Sequence, residues 1–176
     1  MKYTLSGFTV DSFQSAKQQW IDNAISNNLP ITDYEKIIEW AEKRIDYGNK
    51  SSDSYAYGIF CDKTQVCVAV VDIVYTKRGN DGWLKMLTVN LAPDFITSEL
   101  EAKPIKLEDV LYIYIAAAIG TIKLTSNHKA RTIKLYGRND PMLSLLVAMK
   151  TQLSNDQDLL KISISLEGRW LVITTT

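Results

Sequence analysis

An aspartate interrupts the otherwise apolar run Val68-Ala69-Val70-Val71-Asp72-Ile73-Val74-Tyr75. Strand alternation places it on the same face as Val68, Val70 and Val74. A carboxyl in that company either faces water or is partly buried with a raised pKa, and in the second state it can serve as a general base. Facing water is the commoner outcome for one polar residue in such a strand. A second chemical feature is a run of one sign. From Thr121 to Arg138 every formal charge is positive: Lys123, Lys129, Arg131, Lys134 and Arg138, with His128 among them. That stretch can meet phosphates, on a coenzyme or on nucleic acid. The plainer reading puts Lys123 near a helix carboxyl end, where a cation is favourable, and leaves the others solvated. His128 has no serine, cysteine or aspartate partner at a spacing that would make a nucleophilic triad.

Other chemistries are disfavoured by composition. One histidine and two cysteines do not make a metal-ligand pattern. Cys61 and Cys67 lie in apolar runs on either side of an expected hairpin, which fits buried thiols in a reducing compartment better than a disulfide. The formal net charge is zero, so a general electrostatic grip on nucleic acid or anionic lipid is not expected. No apolar run approaches a membrane span; the window from Val110 to Ile122 is short and carries Tyr112 and Tyr114. With 46% hydrophobic and 23% charged residues over 176 positions, the expectation is one soluble, cytoplasmic globular domain spanning 1–176.

The elements that must position these residues follow from periodicity. Lys2 to Val10 reads as a strand. Asp11 or Ser12 can cap a helix whose inward residues are Phe13, Ala16, Trp20, Ile21, Ala24 and Ile25. Asn27-Asn28-Leu29-Pro30 ends it. The pair Thr32 and Glu35 has the spacing of a capping box for a second helix, with Gly48 as its stop. Tyr55 to Cys61 and Val66 to Thr76 are strands joined by the tight turn Asp62 to Gln65. A turn around Asn80-Asp81-Gly82 leads to a strand from Trp83 to Leu91. Leu107 to Leu124 is a long apolar helix, Arg131 to Gly137 a strand, and Asn139-Asp140-Pro141 a helix start with Asp140 as cap and Pro141 in the first turn. Leu160 to Ser165 and Trp170 to Thr174 close the chain as a hairpin around Glu167-Gly168.

The resulting order is β-α-α-β-β-β-α-β-α-β-β, an α+β fold with a mixed central sheet and helices on both faces. In that order the chain resembles the GNAT superfamily of acyl-CoA-dependent N-acyltransferases. The stretch "LTVNLAPDF" from Leu87 resembles the end of the family's fourth strand, and "TIKLYGRNDPMLSLLVAM" from Thr132 its fifth strand and next helix. The resemblance implies that these strands run parallel and then part. Val89, Asn90 and Leu91 on one side, and Leu135, Tyr136, Gly137 and Arg138 on the other, would then hold acetyl-CoA or another acyl-CoA, with no metal. A small-molecule or protein amine would be the acceptor, and a homodimer is within scope. Acyl transfer benefits from a base, for which Asp72 and Asp94 are candidates, and from an acid for the departing thiolate. Many relatives use a tyrosine in the helix after the fifth strand; here that helix has none, and Tyr136 is the nearest substitute. The family's glycine-rich phosphate loop is also missing. Its place is taken by Glu99, Glu101, Pro104, Glu108 and Asp109. The alternative is therefore a non-catalytic GNAT-like module that binds a protein or small ligand. An interaction protein of α+β type with another strand order is a further reading.

Overall fold

The computed structural model describes residues 2–45, 53–78, 81–95, 107–154 and 162–175. Its strands are β1 (Tyr3–Gly7), β2 (Ser54–Cys61), β3 (Cys67–Arg78), β4 (Asp81–Leu91), β5 (Ala130–Tyr136), β6 (Ile162–Glu167) and β7 (Trp170–Thr175). Its helices are α1 (Val10–Ser26), α2 (Ile31–Glu42), α3 (Leu107–His128) and α4 (Asp140–Ser154). The strands form a single seven-stranded sheet in the order β1-β2-β3-β4-β5-β7-β6. Every neighbouring pair is antiparallel except β4 and β5, which are parallel and joined through α3.

The sheet is sandwiched because its central strands are apolar on both faces. In β3, Ala69, Val71 and Ile73 enter one core with α3 and α4, while Val70 enters a second with α1 and α2. The second core is organised by Phe13 and Trp20 of α1 and Tyr34 and Ile38 of α2. Trp20 is almost fully buried, and its indole Nε1–H donates to the Cys67 carbonyl at 2.9 Å, so burial costs it no hydrogen bond. α3 is long and apolar enough to cross a membrane. Here Ile113, Ala116, Ala117 and Ile119 are instead buried against the sheet.

The helix starts differ from the sequence expectation in a consistent way. α1 is capped by Thr9, not by Asp11 or Ser12: Ser12 N–H donates to Thr9 Oγ1 at 3.1 Å and Thr9 N–H donates back to Ser12 Oγ at 2.9 Å. The reciprocal pair satisfies two amides at once, which moves the start upstream. α2 does not use the Thr32–Glu35 box. Pro30, whose ring already sets φ near the helical value, occupies the cap position with no side-chain bond. In α4 the cap is Asn139, whose Oδ1 accepts from Met142 N–H at 2.9 Å, leaving Asp140 free for another partner. Cys67 is buried and its thiol is pushed up to about 12 by desolvation, whereas Cys61 is only half-buried. A hydrogen bond from Thr64 holds the Cys61 thiol below its ordinary value. The stop assigned to Gly48, the turn at Asn80 and the acidic stretch Glu99 to Pro104 lie outside the described residues.

β1 can approach α3 because α3 carries Gly120 where they touch. A Cβ at that position would lie 2.4 Å from Leu5 Cβ, an atom fixed to the backbone of β1. Replacing glycine by alanine inside a helix ordinarily adds about 1 kcal/mol of stability. Overpacking costs typically 1–3 kcal/mol. Gly120→Ala is therefore expected to destabilise the protein by roughly 1 kcal/mol, read as a lower urea midpoint with an unchanged slope. A raised midpoint would show that β1 yields freely.

Candidate functional site

The parallel ladder between β4 and β5 is short. It runs from Gly82 opposite Ala130 to Met86 opposite Leu135 and stops there, although β4 continues to Leu91. The stop coincides with a β-bulge. On the other side of β4, Ile73 pairs with Met86 and Asp72 with Thr88, so Leu87 is an extra residue without a counterpart in β3. An extra residue bends and twists its strand. It also resets alternation, so that Met86, Val89 and Leu91 join the α3 core. Asn90, opposite Val70, shares the α1–α2 face. Past the bulge, no described strand pairs with the edge of β4 that faces away from β3.

A cavity of about 350 Å³ occupies the opening. Its walls are Leu87 to Leu91 of β4, Val110 and Tyr114 of α3, Tyr136 at the end of β5, Arg138 just after it, and Met142 and Leu145 of α4. On the opposite face a second cavity of about 420 Å³ is lined by Leu29, Pro30, Asp33, Tyr34 and Ile37. Val89, Asn90 and Leu91 belong to both walls. The end of β4 is thus a partition between two chambers. Among the described residues, each chamber has one charged lining residue, Arg138 on the α3–α4 side and Asp33 on the α1–α2 side.

The far wall is held by a residue from the β6–β7 turn. Arg169 Nε donates to the Gly137 carbonyl at 2.6 Å, and Gly137 N–H donates to the Arg169 carbonyl at 2.8 Å. The same guanidinium bonds Asp140 at 3.0 Å, which is the partner that Asp140 gains by not capping α4. Gly137 lets α4 come close, since a Cβ there would lie 3.1 Å from Leu143 Cα. Leu135 is fully buried between Met86 and Leu171, and both Gly137 backbone groups are occupied. From this segment only Tyr136 and Arg138 line the cavity; Leu135 and Gly137 build the wall behind them.

Tyr136 is 37% exposed and its ring rests on Trp170, with centroids 4.7 Å apart. Asp72 and Asp94 line neither cavity. Asp72 is half-buried, opposite Thr88 on β4, and accepts a hydrogen bond from Ser54 Oγ at 3.1 Å. Burial holds its carboxyl above the usual range, against the pull of Ser54 and of the Arg44 charge. Asp94 sits in the short 3-10 turn Pro93–Phe95 and accepts from Asn23 Nδ2 at 2.7 Å. Desolvation raises it too, opposed by that bond. The basic stretch is dispersed: Lys134 covers the Trp83 ring at 4.0 Å, Arg131 pairs with Asp81 at 3.4 Å, and His128 packs against Tyr55 and Tyr75. Arg138 is the residue of that run that reaches the cavity.

Sequence reasoning missed Tyr114, whose burial raises the phenol pKa while the Arg138 charge lowers it. The signal was available. Val110 and Tyr114 are four apart and share a helix face, whereas Tyr112 points outward. It also missed the chamber around Asp33 and Tyr34, because helix-spaced Tyr34 reads as core and is indeed buried.

No family model matches the sequence, and no curated protein matches it. Solved structures do. A protein from Vibrio cholerae provisionally assigned as a ribosomal-protein-serine acetyltransferase aligns at TM-score 0.51 and 12% identity, covering 100% of this chain and 94% of its own. A second provisionally assigned acetyltransferase aligns at 0.53 and 8%, covering 95% and 99%. The chain has the GNAT fold. A GNAT-family acetyltransferase from Bacillus anthracis also aligns, at 0.47 and 12% identity over 99% of this chain and 92% of its own. At these identities the similarity is one of architecture.

Asp72 offers a direct check on the electrostatics of the sheet. Its folded pKa is raised, so over a window above the ordinary carboxylate value the folded chain keeps a proton that the unfolded chain has lost. Stability due to this group therefore falls as pH rises through that window. Asp72→Asn keeps an acceptor for Ser54 and removes the charge. It is expected to stabilise the protein at about pH 7 and to have a much smaller effect near pH 3, measured by urea unfolding at each pH. Equal effects at both would rule out ionisation as the cause.

Proposed function

We propose that the chain is an N-acyltransferase that takes an acyl group from a pantetheine thioester and gives it to an amine. The observation that carries this reading is the ladder that ends at Met86 while β4 runs on to Leu91, beside a cavity. A strand edge with free amides and carbonyls suits the two amides of pantetheine, which can join it as an added strand. Val89 and Leu145 supply apolar contact for its methyl groups. The chamber on the other face would take the amine, with Asp33 favouring the arriving ammonium. Where the chambers share Asn90, thioester carbon and amine nitrogen can meet.

The amine nitrogen attacks the thioester carbonyl, the C–N bond forms, and the C–S bond breaks to release the pantetheine thiolate. Tyr136 at the rim gives the thiolate its proton and recovers one from solvent. The arriving ammonium gives up one proton before it attacks and a second as the amide forms, both to water in the chamber lined by Asp33; Asp72 lines neither chamber and takes no part. Products are an amide and a free thiol.

A pantetheine thioester at about 100 times its dissociation constant should stabilise the fold by about 2.7 kcal/mol. Leu145→Trp, which fills the cavity, should abolish that stabilisation. With an acetylatable amine present, Tyr136→Phe should lower kcat by about 10²–10⁴ with little change in KM. No thermal shift with any pantetheine thioester at millimolar concentration overturns the proposal. Binding with no transfer to any of a panel of amines would instead identify a ligand-binding module.

A further inference from the structure

Resting on the acyl-transfer reading above, we infer that Arg169 is a positioning residue for the reaction, acting through Tyr136. The need for one follows from where Tyr136 sits. It is the last residue of β5, and the parallel ladder to β4 has already stopped one residue earlier, at Leu135 opposite Met86. Among the described residues, the only strand that still pairs with Tyr136 is β7, through Trp170. A strand end held from one side frays. A phenol that must meet a thiolate cannot fray with it, since a misplacement of about 1 Å can cost about 10²-fold in rate.

The β6–β7 turn supplies the missing hold. Glu167 pairs with Trp170, so the loop between them is Gly168 and Arg169 alone. Gly168 has φ of 60°, the left-handed region that suits glycine at the first position of a type II′ hairpin. So tight a loop fixes where Arg169 starts. The Arg169 carbonyl accepts from Gly137 N–H, and its Nε–H donates back to the Gly137 carbonyl. A side chain thereby carries the hold of β7 on β5 one step past Tyr136. The remaining guanidinium nitrogens donate to Asp140 Oδ1 at 3.1 and 3.0 Å, which ties the same point to the first turn of α4. Next along the chain, Trp170 lays its ring against the Tyr136 ring. Backbone and ring of Tyr136 are thus both fixed by one hairpin.

Stability alone does not account for this arrangement. The Asp140 side chain is 90% exposed, and an ion pair to so exposed a carboxylate adds little to folding. A planar guanidinium that serves a carbonyl and a carboxylate at once is suited instead to holding two elements in fixed relation, which a single ammonium does less well.

Steady-state release of thiol from acetyl-CoA, with an amine that supports turnover, tests this in a double-mutant cycle. Arg169→Ala is expected to lower kcat about 10–100-fold with the KM for acetyl-CoA nearly unchanged. In a Tyr136→Phe background the same substitution should lower kcat no further, because the group it positions is gone. Arg169→Lys keeps the charge but not both bonds and should fall between wild type and Arg169→Ala. It carries the same comparison if the alanine variant does not fold. Loss of kcat by the same factor in both backgrounds, or in neither, overturns the inference and leaves acyl transfer standing. A Tyr136→Phe variant as fast as wild type removes the acid, and with it this role for Arg169, again without touching acyl transfer. If the unaltered protein transfers to no amine, the acyl-transfer reading falls and takes this inference with it.

Discussion

A parallel ladder extends only while both strands keep to one path, and the bulge at Leu87 is where β4 leaves the path of β5. Everything at the site depends on that departure. It frees one edge of the last residues of β4 and opens a cavity between α3 and α4. It also shifts alternation by one, so that Val89 and Leu91 face one chamber's core while Asn90 faces the other side. Were alternation to run unbroken through Leu87, Thr88 and Asn90 would turn toward the α3 core. Polar groups would then be buried without partners, and the apolar pair would be left outside.

The sheet tolerates the opening because its other contacts are strong. β3 and β4 pair along nearly their whole length, from Ala69 opposite Leu91 to Arg78 opposite Asp81. Leu135 is fixed from both sides by Met86 and Leu171. The gap is therefore a local feature of a well-paired frame. A ligand that pairs with β4 meets an edge already held in strand geometry by β3, so little backbone entropy is lost on binding.

The element order, and with it the GNAT fold, was legible because periods change cleanly along the chain: Phe13 to Ile25 repeats at helical spacing and Tyr55 to Leu91 is β-rich. "LTVNLAPDF" also marked the place where β4 ends beside the opening. What sequence could not give was which of several capable polar residues would win each helix start. Thr9 prevails over Asp11 by making two bonds with Ser12, and Asn139 prevails while Asp140 turns to Arg169. Those are contests of about 1 kcal/mol, and Asp140's is settled by a partner 29 residues away. The reach of Arg169 to Gly137 was likewise invisible, because nothing local in a β-turn arginine names its carbonyl partner. Asp72 lay between two readings in the sequence, and the structure gives it features of both: partly screened from water, yet bonded to Ser54.

The Arg169 latch carries an implication for how the molecule is made. β7 inserts between β5 and β6, and the turn that precedes it supplies the clasp on Gly137 and Asp140. During synthesis on a ribosome, α3, β5 and α4 all emerge before that arginine does. The nascent chain can thus assemble its helices and most of its sheet with one jamb of the doorway still unfastened until the final hairpin arrives.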